Sequence, residues 1–113
     1  MEETKIVKIK GKEYTVKFPN VGEFYRIETN KQALGRGYYN TMLSNRTKMA
    51  QMALDVIDIE ATLTVICPKL IDDIKVPISE LGFADFKELR DIYMKEIFPF
   101  IKEGFDLLSS TEN

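Results

Sequence analysis

Carboxylates form the densest run of potential ligands in this sequence. Asp55, Asp58 and Glu60 fall close together, and Asp72 and Asp73 follow. A helix would place Asp55 and Asp58 on one face, where their oxygens suit a hard cation such as magnesium. The solvated side of an amphipathic helix has the same spacing, and no phosphate-binding motif stands beside it. A wet helix face is therefore expected, and no metal.

Residues 34–45, LGRGYYNTMLSN, set two glycines around an arginine and follow them with two tyrosines. A phosphate loop needs a further glycine and then lysine and serine or threonine, so that amides, ammonium and hydroxyl converge on phosphate and magnesium. Nothing after Gly35 or Gly37 supplies them. A dinucleotide fingerprint needs its glycines between a strand and a helix, whereas a helical pattern precedes these. Tyr38 and Tyr39 beside Arg36 could stack bases, but the motif is short. The expected role is a helix break with one packed tyrosine and one partly wet one.

The absence of histidine removes the commonest general base and transition-metal ligand, and with it any serine triad. Ser44, Ser79, Ser109 and Ser110 sit in no Gly-x-Ser-x-Gly elbow. Cys67, the sole cysteine, has no partner for an internal disulfide and is expected as a buried thiol. No catalysis and no cofactor are expected. Sixteen basic residues against eighteen acidic ones give a charge of -2, without the basic excess of a phosphate-backbone binder, so nucleic acid is not an expected partner. Lys5, Lys8, Lys10, Lys12 and Lys17 read as the wet face of a ribbon. No apolar run approaches the ~20 residues of a membrane span, and MEETKIVKIKGKEYTVKF lacks a signal peptide's apolar centre. An intracellular, reducing location is expected.

The elements that must carry these residues make an α+β, mostly helical chain, with an N-terminal β-hairpin followed by three or four packed α-helices in a single domain, 1–113. KIVKIKGKEYTVKF, residues 5–18, is the hairpin, with Tyr14, Val16 and Phe18 on one face. Asn20 with Glu23 signals a capping box opening a helix over 21–34, ended by Gly35 as the left-handed cap. Residues 38–43 form a helical turn or an ordered loop. The strongest helix starts at Asn45 or Thr47, carries Met49, Met52, Val56, Leu63 and Ile66, and stops before Pro68. Residues 69–83 are a connector. Asp85 with Glu88 marks a second capping box, opening a helix over 84–108 that Pro99 should make kink or restart near Ile97-Phe98. The helical body thus covers 20–108, and 109–113 is a frayed tail.

Met42, Met49 and Met52 gather at the start of the strong helix, and flexible thioethers are over-used where a surface must accept a partner. Phe98, Phe100 and Phe105 around Pro99 add more large apolar groups than one stripe buries, which suggests an exposed patch or an oligomer interface. Tyr38, Tyr39, Met42, Met49, Met52, Phe98, Phe100 and Phe105 are the candidate partner contacts.

The ordered set KIKGKEYTVKFP (8–19), GYYNTML (37–43), DVIDIEATL (55–63) and CPKL (67–70) resembles the small tail assembly chaperones of tailed bacteriophages over most of the chain. The resemblance implies a non-enzymatic protein in the host cytoplasm. It would bind the tape-measure protein, or the tail-tube subunit, keep apolar helices soluble during virion morphogenesis, and self-associate as a homo-oligomer. The family commonly makes a longer, frameshifted form as well. A structural virion component or small adaptor is the alternative reading, and an enzyme the second alternative.

Overall fold

The computed structural model describes the backbone of residues 3–45 and 47–110, with side chains as far as Leu107. β1 (Thr4–Ile9) pairs antiparallel with β2 (Lys12–Lys17), Val7 standing opposite Tyr14. Lys10 and Gly11 connect them with φ of 53° and 77°. That left-handed pair lets a two-residue turn follow the twist of the strands. Val7, Ile9, Tyr14 and Val16 face inward, so Val7, and not its neighbour Ile6, is the buried member of the irregular first arm. The wet lysine face is partly spent on the helical body. Lys10 pairs with Asp85 at 2.6 Å, Lys12 with Asp73 at 2.8 Å and Lys17 with Glu23 at 2.6 Å.

α1 (Val21–Gly35) opens on the capping box: Glu23 N–H donates to the Asn20 side chain at 2.8 Å, and Asn20 N–H returns the bond to Glu23 at 3.0 Å. Glu23 is thereby buried, and the two contacts, from Asn20 and then Lys17, lower its pKa. The left-handed cap is Arg36, φ 52°, with Gly35 still inside the helix. Gly35 has a different reason to be glycine: a Cβ there would lie 2.9 Å from Tyr39 Cβ. The short α2 (Tyr39–Ser44) then packs across α3 (Lys48–Ile66). Thr47 caps α3, its side chain accepting from Ala50 N–H at 3.2 Å.

Ile59, Leu63 and Ile66 on α3 join the hairpin's inner face, Ile27 of α1 and the last helices in one apolar core. Each such side chain contributes roughly 1.5–3 kcal/mol by leaving water. Pro68 does end α3, yet as the first residue of α4 (Pro68–Ile74), where its missing N–H costs nothing. The connector is therefore helical before a 3-10 turn at Ile78–Glu80, which Glu60 fastens by accepting from Ile78 N–H at 2.7 Å.

α5 (Phe83–Ile92) begins on Gly82, and the expected capping box is absent. Asp85 and Glu88 reach out instead of back: Asp85 holds Lys10 Nζ, and Glu88 accepts from Lys10 N–H at 3.1 Å, which clasps the hairpin turn. α6 (Phe98–Ser110) continues α5 through a π turn at Tyr93–Ile97. The change expected near Ile97-Phe98 takes the form of that turn, which ends at Ile97 so that the α-helix restarts at Phe98. Proline cannot donate to the Lys95 carbonyl and its ring would strike it, and widening the preceding turn, with Phe98 N–H bonded to Tyr93 O, gives it room. Ser109 and Ser110 are helical, while 111–113 of the expected tail lie outside the described residues.

Candidate functional site

The first half of α3 and the length of α5 line a groove of about 300 Å³. Met52, Phe83 and Phe86 give it apolar walls, with Lys48, Lys87 and Asp91 at the rim. The exposure is large for such residues: Phe83 71%, Met52 40%, and Met49, one turn before Met52, 75%. Arg90 Nε donates to Asp55 Oδ2 at 2.8 Å and ties the two helices together. The Asp55 side chain is 16% exposed, so this bond is the main compensation for removing a carboxylate from water.

Asp58 lies beside α2. Tyr39 O–H donates to its Oδ1 at 2.6 Å, and Lys31 Nζ stands 3.9 Å away. Burial raises the Asp58 pKa, against the opposing pull of the tyrosine bond and Lys31, and burial with the same bond raises that of Tyr39. Neither aspartate stands on a wet helix face: each is half-buried and holds another helix. Among the described residues no three Cys, His, Asp or Glu side chains converge as metal ligands.

The other displaced groups also serve contacts within the fold. Asp73 is held down at about 2 by Lys12 and by the Tyr14 hydroxyl, 2.8 Å from its Oδ2. Burial pushes Tyr93 up to about 12, and its hydroxyl is 3.2 Å from Thr62 Oγ1. Burial also raises the Cys67 thiol, whose Sγ lies 3.7 Å from Thr15 O.

The candidate contacts divide into separate groups. Met52 lines the α3 side of the groove, Met49 is exposed one turn before it, and Tyr38 is exposed at 68%. Tyr39, at 6%, is turned inward as the bolt of α2, so it leaves the candidate surface. Met42 is half-buried on the same short helix. Phe100 and Phe105 are drawn inward with Phe18 and Phe24, in edge-to-face contacts such as Phe24–Phe105 at 4.8 Å. Gly104 permits that cluster, since a Cβ there would run into the Phe24 ring. Phe98 keeps part of its surface in solvent beside Tyr93. Phe83, Phe86, Arg90 and the rim residues Lys48, Lys87 and Asp91 are site residues absent from the sequence-based candidates. Phe83 falls outside the helical stripe after a turn glycine, the one signal it carried, and no local pattern marks Arg90 as the partner of Asp55, thirty-five positions away.

No family model, curated protein or solved structure matches the chain. No helix among the described residues is long and apolar enough to cross a membrane.

Proposed function

We propose that the chain is a non-enzymatic bacteriophage tail morphogenesis protein that binds the tape-measure protein as an assembly chaperone in the host cytoplasm. The observation that carries this reading is the exposure of Met52 and Phe83 at one groove, with the exposed Met49 one turn before Met52 on the same helix. Exposed apolar groups gathered at a groove mark a docking site, and thioethers can repack against the succession of apolar helices that a long tail protein presents. The occupant is an amphipathic helix, its apolar ridge between Met52 and Phe83 and acidic residues on its flank facing Lys48 and Lys87. The likeness of the quoted segments to tail assembly chaperones supplies the identity of the partner.

Co-expression with the tape-measure protein tests the reading. The expected result is a soluble complex on size exclusion and no copy of the chain in mature particles. A chain retained in mature particles points to a structural virion component using the same groove permanently. A tape-measure protein equally soluble without the chain contradicts the chaperone role.

A further inference from the structure

The outer edge of β1 is an unused row of main-chain donors and acceptors. In an antiparallel ladder, hydrogen-bonded pairs recur at every second residue. Phe18 N–H donates to Glu3 O at 2.7 Å, and the register then puts Lys5, Val7 and Ile9 in the pairs bonded to β2. Thr4, Ile6 and Lys8 therefore direct their N–H and C=O groups outward. Among the described residues no hydrogen bond between this row and the rest of the fold occurs. The side chains of the row are exposed as well, Ile6 at 61%. β2 differs at one point, where the Cys67 thiol approaches the outward Thr15 C=O at 3.7 Å, while on the β1 side α5 reaches only the turn end, its Glu88 accepting from Lys10 N–H.

We infer that β1 pairs antiparallel with β1 of a second copy of this chain, about a twofold axis through Ile6, making a continuous sheet in the order β2–β1–β1–β2. The register is what singles out a second copy. Antiparallel pairing must set outward-directed residues opposite one another, so a self-paired β1 can centre only on certain positions. Centring on Lys5 or Lys8 puts like charges face to face. Centring on Val7 pushes Thr4 past the strand onto the turn residue Lys10, and centring on Thr4 leaves most of β1 unpaired. Centring on Ile6 keeps the whole strand in the ladder. Ile6 then bonds Ile6, Thr4 bonds Lys8 in both directions, and Lys5 stands beside Val7, with no lysine opposite a lysine.

The two exposed isoleucines meet on the outer face, where each alone faces water. The interface is isologous, as a twofold dimer requires. Edge lysines discourage indiscriminate strand pairing, and here Lys5 and Lys8 exclude competing registers while leaving one open. This interface is independent of what occupies the α3–α5 groove.

The test combines oligomeric state with amide exchange in the full chain. Sedimentation equilibrium should show a monomer–dimer equilibrium, and the amides of Ile6 and Lys8 should slow in exchange as the dimer fills. Ile6→Lys sets like charges across the axis and should weaken the dimer at least about tenfold with the circular dichroism spectrum unchanged, while Ile6→Val should retain it. Should Ile6→Lys unfold the chain, amide protection in the unaltered protein decides. A chain that stays monomeric with Ile6 and Lys8 amides exchanging freely overturns the proposal. So does a dimer that Ile6→Lys leaves undiminished, or protection of those amides that arises only when a strand of another protein is added.

Discussion

The two ends of α3 treat an apolar helix face in opposite ways. From Ile59 to Ile66 the helix is enclosed, with Ile59, Leu63 and Ile66 sealed in the core and the buried Thr62 bonded to the Tyr93 hydroxyl. At Met49 and Met52 the same helix is left to solvent, and α5 contributes Phe83 and cationic neighbours instead of a covering layer. The residue types follow the environments. Branched side chains with few rotamers fill the closed end, and flexible thioethers occupy the open one. A stripe that reads as continuous in sequence is thus divided between holding the fold and presenting a surface.

Substitutions at the two ends should separate sharply. Leu63→Ala at the closed end should cost ~2–5 kcal/mol in denaturant unfolding, because the enclosed site cannot collapse around the missing atoms. A similar loss for Met52→Ala would erase the distinction. Gly104→Ala should cost ~1–3 kcal/mol by forcing the Phe24 ring aside, since this cluster belongs to the closed part of the molecule. Thermal or denaturant unfolding checks it, and no loss would mean that the aromatic packing is looser than described.

Arg90→Ala probes the boundary between the ends. It strands the largely buried Asp55 carboxylate and should cost about 1–2 kcal/mol, reduced by the guanidinium's own partial exposure. Asp55→Asn in the Arg90→Ala background should recover part of that loss. Met49→Lys with Met52→Lys should change stability by no more than about 0.5 kcal/mol, as expected of open surface.

The smallest effects lie in the dependence on pH. Asp73, and Glu23 in the same direction, have lowered folded pKa values, so their stabilisation is complete above the ordinary carboxylate range. For Asp73 it is lost as pH falls from 3.8 towards about 2. Asp58 is raised, so its contribution is complete below 3.8 and declines as pH rises through its folded value. Asp73→Asn should flatten the acid limb of a stability–pH profile and Asp58→Asn the limb above it. Unfolding midpoints at stepped pH check both, and an unchanged profile in either variant would show that the named contact is not what displaces the group.

Local patterns in the sequence reached most of the fold. The Asn20–Glu23 box, the alternation of Tyr14 and Val16, and the stripe through Leu63 each follow from neighbours in the chain, and the structure keeps them. Where residues act across the fold, the pattern misled. Asp85 and Glu88 have the spacing of a cap but are drawn to Lys10 of the hairpin, and Gly35 has the look of a C-cap but answers to Tyr39. Pro99 signalled trouble correctly, and the remedy, a π turn, depends on the helix continuing over the core on both sides. The candidate surface was legible in its methionines alone. Phe100, Phe105 and Tyr39 look the same in sequence as exposed aromatics, and only Phe18, Phe24 and Asp58, brought in from elsewhere, turn them inward.

Calorimetric titration of tape-measure protein into this chain and into the Met49→Lys, Met52→Lys double variant tests the open end of α3 most directly. The predicted result is saturable binding to the unaltered chain and binding at least about tenfold weaker to a variant whose unfolding midpoint is unchanged. Equal affinity for both, or no heat with either, would contradict the assignment of the α3–α5 groove as the docking site.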